Sequence, residues 1–217
     1  MASGKKKASP SLNVLFIGNS FTARNDLPGL IAQLAAAAGT AMSHRLVSAG
    51  GASLRMHWNK AEAVKAISEG GYDYVVLQEQ STLPIKNALR FHENVRLFDP
   101  EIKAAGSKAA LYMTWARRHA PESQNALTDA YQSIGRETGA TVVPVGEAWR
   151  QFLAGHDAPV LHDKDGSHPT VAGSYLAACV FFAVLLGRSP VGVGDGARGL
   201  SPAETRLLQQ AAWAAVK

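Results

Sequence analysis

Ser20 stands at the end of the run Val14-Leu15-Phe16-Ile17-Gly18-Asn19-Ser20-Phe21-Thr22, just beyond an apolar stretch and a glycine. Gly18 lets the chain turn sharply and presents the Ser20 hydroxyl near a helix start. A serine becomes a nucleophile only with a base within hydrogen-bond reach. The best base in the chain is His168, in Asp163-Lys164-Asp165-Gly166-Ser167-His168-Pro169. Asp165 lies three residues before it, close enough to fold back and hold the imidazole in the right tautomer. Asp163 is the alternative partner for that ring. Either segment alone also reads as plain structure, a turn in one case and a cap in the other. Placed at the two ends of the chain, they point together to nucleophilic chemistry.

The elements that must position these groups follow from periodicity. Five β-like runs, at 13–17, 43–47, 74–77, 109–114 and 141–145, alternate with helical patterns. NVLFI, YVVL and TVVPV are continuous apolar runs, the pattern of strands buried on both faces. Helical patterns fall near 27–38, 54–68, 87–105 (interrupted by Pro100), 122–138 and 146–154, and two more follow at 170–186 and 202–216. The last opens with a Ser201–Glu204 capping box and Pro202. Strands separated by helices predict βαβ crossovers, a five-stranded parallel sheet and a three-layer α/β/α sandwich. Ligands collect outside the carboxyl ends of such strands. The segments to read for chemistry are therefore Gly18–Ser20, Ala49-Gly50-Gly51, Gln78-Glu79-Gln80-Ser81 and Trp115-Ala116-Arg117-Arg118.

Other motifs are weaker. His156, Asp157, His162, Asp163, Asp165 and His168 fall close together, but in no standard metal-ligand spacing. His57 and Trp58 read as packing residues. Trp115 ends the fourth strand on the active face, where it would serve as a platform for a sugar or acyl group, or pack. Gly192-Val193-Gly194-Asp195-Gly196 lacks a preceding strand and reads as a surface connection. The chain contains no Gly-x-Ser-x-Gly elbow, which argues against an α/β-hydrolase.

Gly18-Asn19-Ser20-Phe21 after the first strand and Asp165-Gly166-Ser167-His168-Pro169 near the end resemble the two signature blocks of the GDSL/SGNH hydrolases. The resemblance spans about residues 13–187 and is greatest to a subgroup reading GNSFT, then Gly-Gly, then a strand ending in LQ. It implies the flavodoxin-like hydrolase fold, with Ser20 as nucleophile, His168 as general base and acid, and Asp165 as orienting carboxylate. It also implies an oxyanion hole built from the Ser20 amide, an amide of Gly50 or Gly51, and a side chain after the third strand. There the chain departs from the family: LQEQS replaces Gly-x-Asn-Asp, so Gln78 is the first choice of donor and Gln80 the alternative. The expected function is a serine esterase without metal or organic cofactor, acting on short-acyl (acetyl) esters, with carbohydrate as one candidate carrier. The alternatives are a broader arylesterase or lysophospholipase on longer acyl chains, a catalytically silent binding domain of the same fold, and a metal-dependent hydrolase built on the 156–168 loop.

Composition sets the outer bounds. The 217 residues are 47% hydrophobic and 18% charged, enough for one core and one domain, expected over 12–217 behind a flexible tail at 1–11. Net charge is +5, yet Lys5, Lys6 and Lys7 lie in that tail, and residues 11–217 carry 19 basic against 17 acidic side chains. Nucleic acid is therefore not an expected partner; a small-molecule or carbohydrate ester is. The start is basic but lacks the apolar stretch of a secretory signal, and the compartment stays open. Cys179, the one cysteine, excludes an intramolecular disulfide. The apolar stretch Val171–Gly187 reads as a buried helix rather than a membrane span.

Overall fold

The computed structural model describes residues 11–217. The tail expected at 1–11 lies outside the described residues except for Ser11, which already belongs to the first strand, β1 (Ser11–Gly18). The other strands are β2 (Ala41–Ser48), β3 (Tyr74–Leu77), β4 (Lys108–Tyr112) and β5 (Thr141–Val143). They form one parallel sheet in the order β2-β1-β3-β4-β5. This is the flavodoxin-like order, in which the strand sequence reverses between β1 and β3 and opens a crevice at their carboxyl ends.

Two apolar layers cover the sheet, because alternate side chains of a strand face opposite sides. Val14 and Phe16 of β1 face one cluster, where Phe16 meets Phe181 edge-on at 5.9 Å, and Leu15 and Ile17 face the other. On the first side lie α2 (Leu27–Ala37), α8 (Val145–Gly155), α9 (Val171–Leu186) and α10 (Pro202–Val216). On the second lie α3 (Leu54–Lys60), α4 (Glu62–Glu69), α6 (Ala88–Ala104) and α7 (Gln124–Thr138). The short helices α1 (Ser20–Ala23) and α5 (Leu83–Lys86), not foreseen from periodicity, sit just after β1 and β3. The architecture is a three-layer α/β/α sandwich.

The differences from periodicity have local causes. The helix expected at 54–68 breaks at Ala61, whose φ of 58° ends α3 and starts α4. Pro100, expected to interrupt, lies inside an unbroken α6, held because Phe91, Val95, Phe98 and Ile102 are buried on both sides of it. β5 stops at Val143, since Pro144 lacks the amide that a longer ladder needs and stands instead at the start of α8. β4 likewise ends at Tyr112, two residues short of the expected Thr114. The apolar stretch after 170 is α9, buried almost throughout. Among the described residues no helix is long and apolar enough to cross a membrane.

Candidate functional site

The turn after β1 is built by its own short side chains. Asn19 has extended backbone and caps α1, its Oδ1 accepting the Phe21 amide at 3.1 Å. Its Nδ2 donates to the Ala52 carbonyl at 2.9 Å, tying this turn to the loop after β2. Gly18 is required by close approach: a Cβ there would come within 2.6 Å of both Gln78 Oε1 and Thr22 Oγ1. His57, buried, donates from Nε2 to the Gly18 carbonyl at 2.7 Å, in keeping with a packing role. Ser20 is thus fixed at the first position of α1.

His168 reaches this serine from the last loop. Ser20 Oγ lies 2.8 Å from His168 Nε2, and His168 Nδ1 lies 2.5 Å from Asp165 Oδ2. A carboxylate accepts, so Nδ1 carries the proton and Nε2 is free to take one from Oγ. Asp165 Oδ1 accepts the amides of Ser167 and His168, each at 2.9 Å. The hydrogen bond from His168, then the two backbone amides, hold the Asp165 carboxyl well below the usual carboxylate range. Asp163, the alternative partner, is turned away: Oδ2 pairs with Arg24 at 2.7 Å and Oδ1 accepts the Lys164 amide.

The loop is anchored from outside. Trp115 Nε1 donates to the Ser167 carbonyl at 3.0 Å, and the Arg118 amide to the Gly166 carbonyl at 2.9 Å. Trp115 itself is 3% exposed. One face stacks on Trp149 at 3.7 Å and 2°, and the other meets Phe21 at 5.1 Å, whose ring faces His168 at 5.2 Å. This corrects the expectation of a stacking platform, because neither indole face is free for a ligand. Trp115 instead braces the loop that carries His168.

The donors expected for the oxyanion differ sharply in their surroundings. The loop after β2 closes with the Ala52 amide on the Ala49 carbonyl at 3.1 Å, and Gly51 has φ 66°, the pattern of a type II turn. The amides of Gly50 and Gly51 have no hydrogen-bond partner among the described residues, and neither does that of Ser20. Gln78 is fully buried beneath the turn: its Oε1 accepts the Asn19 amide at 2.9 Å and the Thr22 hydroxyl at 3.0 Å, and its Nε2 donates to the Glu79 carbonyl. That corrects the first choice of oxyanion donor, since the side chain is fully buried beneath the turn, with its oxygen and one of its two Nε2 protons already engaged within the protein. Gln80, the alternative, is half-buried. Its Oε1 accepts from the Thr82 amide, the Thr82 hydroxyl and the Leu83 amide at 2.9, 3.1 and 3.0 Å. Its Nε2 has no partner among the described residues.

Glu79 between them carries a role that the sequence did not suggest. It is fully buried, and Oε1 accepts the amides of Leu54 (3.0 Å) and Gln80 (2.7 Å), while Oε2 accepts Asn94 Nδ2 at 2.8 Å. Arg55 Nε donates to Asn94 Oδ1 at 3.1 Å and completes the chain. Burial pushes the Glu79 carboxyl up, against the pull of these donors and of Arg55. One buried carboxylate therefore fixes both the segment after Gly50-Gly51 and the Gln80 turn. The signal available in sequence was an acid two residues after a buried strand, and an Asn on the apolar face of α6 beside Val95. The residues of the 156–168 loop do not converge: among the described residues no group of three His, Cys, Asp or Glu is placed to hold a metal. His162 is buried and donates to the Ala116 carbonyl at 3.0 Å.

No sequence-family profile matches the chain, and no curated protein does. Solved structures do. A candidate SGNH hydrolase from Slackia heliotrinireducens superposes with a TM-score of 0.71 at 28% identity, covering 81% of this chain and 99% of its own. A DUF4886 family protein from Bacteroides uniformis superposes with a TM-score of 0.76 at 21% identity over 95% of both chains. A catalytic mutant of an acetylxylan esterase from Geobacillus stearothermophilus gives 0.63 at 17%, over 80% of this chain and 93% of its own. The chain thus has the SGNH/GDSL hydrolase fold, shared with carbohydrate esterases.

Proposed function

We propose that this protein is a serine esterase that cleaves short-acyl, chiefly acetyl, esters through an acyl-enzyme. The observation that carries the reading is the unbroken relay from Ser20 Oγ through His168 to Asp165, at 2.8 and 2.5 Å. In the reaction His168 Nε2 takes the Ser20 proton as Oγ adds to the ester carbonyl. The developing oxyanion is met by the Ser20 amide, an amide of the Gly50-Gly51 turn and Gln80 Nε2; each such donor is worth about 10²–10³ in rate. Collapse expels the alcohol, which leaves with the proton from His168. Water, activated by the same imidazole, then releases the acid and restores Ser20. Asp165 stays ionised throughout and stabilises the imidazolium. The site residues ask for no metal in any of these steps.

An acetyl preference is supported by the Phe21 ring packed beside His168 at 5.2 Å and by the likeness to an acetylxylan esterase. A fluorophosphonate probe tests the class: the native protein is labelled, and Ser20→Ala and His168→Ala are not. Absence of labelling in the native protein would favour the silent binding domain. A chromogenic ester series from acetyl to decanoyl tests the acyl group, and an optimum at eight carbons or more overturns the acetyl assignment.

A further inference from the structure

Asp165 and His168 stand on a loop that is closed on itself. The Asp163 amide donates to the His168 carbonyl at 2.8 Å and the Gly166 amide to the Asp163 carbonyl at 2.9 Å, and His162 pairs with Pro169 across the neck. Together with the two amides on Asp165 Oδ1, these bonds make the carboxylate and the imidazole one unit. They do not fix where that unit stands relative to Ser20. The 2.8 Å from Oγ to Nε2 joins side chains 148 residues apart, so contacts between the loop and the nucleophile segment must set it. Trp115 and Arg118 brace the loop from the β4 side.

The nucleophile segment turns sharply just beyond Ser20. Between the end of α1 at Ala23 and the start of α2 at Leu27, two successive non-glycine residues have left-handed backbone, Asn25 at φ 55° and Asp26 at φ 51°. That conformation is costly for any residue with a Cβ, least so for Asn and Asp, and persists where the surroundings hold it. Asp26 has a local reason, since its Oδ1 accepts the Gly29 amide at 3.3 Å and caps α2. No local side-chain bond accounts for Asn25 among the described residues. Its Nδ2 crosses instead to the exit of the catalytic loop, 3.3 Å from the Pro169 carbonyl, 3.1 Å from the Thr170 carbonyl and 2.9 Å from Ser174 Oγ. Two of these three are carbonyls, which only accept, so the amino group and not Oδ1 must face them. One side chain thus grips the residue directly after His168, the N-cap of α9 and its first turn. Arg24 beside it pairs with Asp163 at the entry of the loop, but the two side chains are 41% and 44% exposed, where an ion pair contributes little.

We propose that Asn25 is a positioning residue that latches the His168 loop to the nucleophile segment and so sets the Ser20–His168 distance. Its catalytic consequence rests on the esterase reading. Without the Asn25 amide, the loop keeps its internal bonds and the Asp165–His168 pair stays whole, but the pair shifts as a body against Ser20. A displacement of about 1 Å from productive geometry can cost about 10²-fold in rate.

The test uses Asn25→Gly, which accepts left-handed backbone but has no amide, and Asn25→Asp, which keeps the shape but replaces the donor with an acceptor. At a temperature where the native protein and both variants are fully folded, fluorophosphonate labelling of Ser20 should slow by about ten- to a hundredfold in each. With 4-nitrophenyl acetate, kcat should fall in step while KM stays within about threefold, since the change lies in placing the base rather than in binding. The melting temperature of Asn25→Gly should lie within about 3 °C of the native value, because relief at the left-handed position offsets the lost hydrogen bonds. Deuterium exchange over residues 163–170 should quicken in Asn25→Gly and that of β3 should not change. Labelling of either variant at the native rate overturns the latch, and so does a loss of rate that appears only where the variant begins to unfold. No labelling of the native protein overturns the esterase reading instead. The exchange over 163–170 then still decides the latch, which unchanged exchange overturns.

Discussion

Glu79→Gln is the most informative single change. The replacement keeps the shape of the side chain and one oxygen, which can still accept the amides of Leu54 and Gln80 as Oε1 does now. Its new amino group faces Asn94 Nδ2, where Glu79 Oε2 stood as acceptor. Two donors then oppose each other in a fully buried place. Flipping Asn94 does not help, because its Oδ1 already accepts from Arg55 Nε. No rotamer satisfies all four groups, and the loss should be about 2–3 kcal/mol, that of a charge-assisted bond plus an unsatisfied buried donor. For a domain of this size it corresponds to a fall in Tm of roughly 4–12 °C. The structure also predicts a rescue: Asn94→Asp in the same chain puts an acceptor opposite the new amino group and keeps one for Arg55. Thermal unfolding of the native protein, E79Q and E79Q/N94D measures the cycle. The labelling rate of E79Q should fall about tenfold as the Leu54 and Gln80 segments loosen. The pH dependence has a defined sign. Burial raises the Glu79 carboxyl in the folded state, so the native state binds more protons than the unfolded one above the ordinary carboxylate range. Stability from this group falls as pH rises through that window, and E79Q lacks the effect, so the gap between them should narrow on raising pH. A native-like Tm for E79Q, or no recovery in the double variant, would refute the assignment of Glu79 as the anchor of both loops.

Gln78 and Gln80 should separate stability from rate. Gln80→Ala lowers kcat by about 10²–10³ with a smaller loss of stability. Gln78→Ala instead strands the Asn19 amide and the Thr22 hydroxyl, and lowers unfolding stability by about 1–3 kcal/mol in denaturant titration. Gly18→Ala forces a methyl within 2.6 Å of two oxygens and should reduce both folding stability, by about 1–3 kcal/mol, and labelling. Asp165→Asn should lower kcat by about 10³–10⁴ while CD-monitored unfolding changes little, since Asp165 is exposed and acts through the imidazole tautomer. Because its hydrogen bonds hold Asp165 below the usual range, its contribution is present above that range and lost only as pH falls through the lower folded value; activity lost near neutrality cannot be laid to it.

Much of this protein is legible in the order of its residues. Continuous apolar runs such as NVLFI and YVVL announce strands covered on both faces, because every side chain, odd or even, meets a layer of helices. The helix–strand alternation then leaves parallel pairing as the workable arrangement, and Gly18-Asn19-Ser20 with Asp165–His168 names the residues that meet across 148 positions of sequence. Tertiary structure decided everything that depends on which way a side chain turns. Period-two and period-3.6 patterns say whether a position is buried, but not what a polar group finds there. Gln78 and Gln80 are two residues apart and chemically identical, yet one is sealed under the Gly18–Ser20 turn and the other has an Nε2 with no partner among the described residues. Trp115 is an aromatic on the active face in sequence and a covered brace in space, since Trp149 comes from α8, far along the chain, to lie on it. Glu79 reads as one acid in LQEQS; its role exists only because Leu54, Gln80 and Asn94 converge on its two oxygens. Local sequence determines where the chain is buried and where it turns, and contacts between distant segments determine which polar groups are left free to do chemistry.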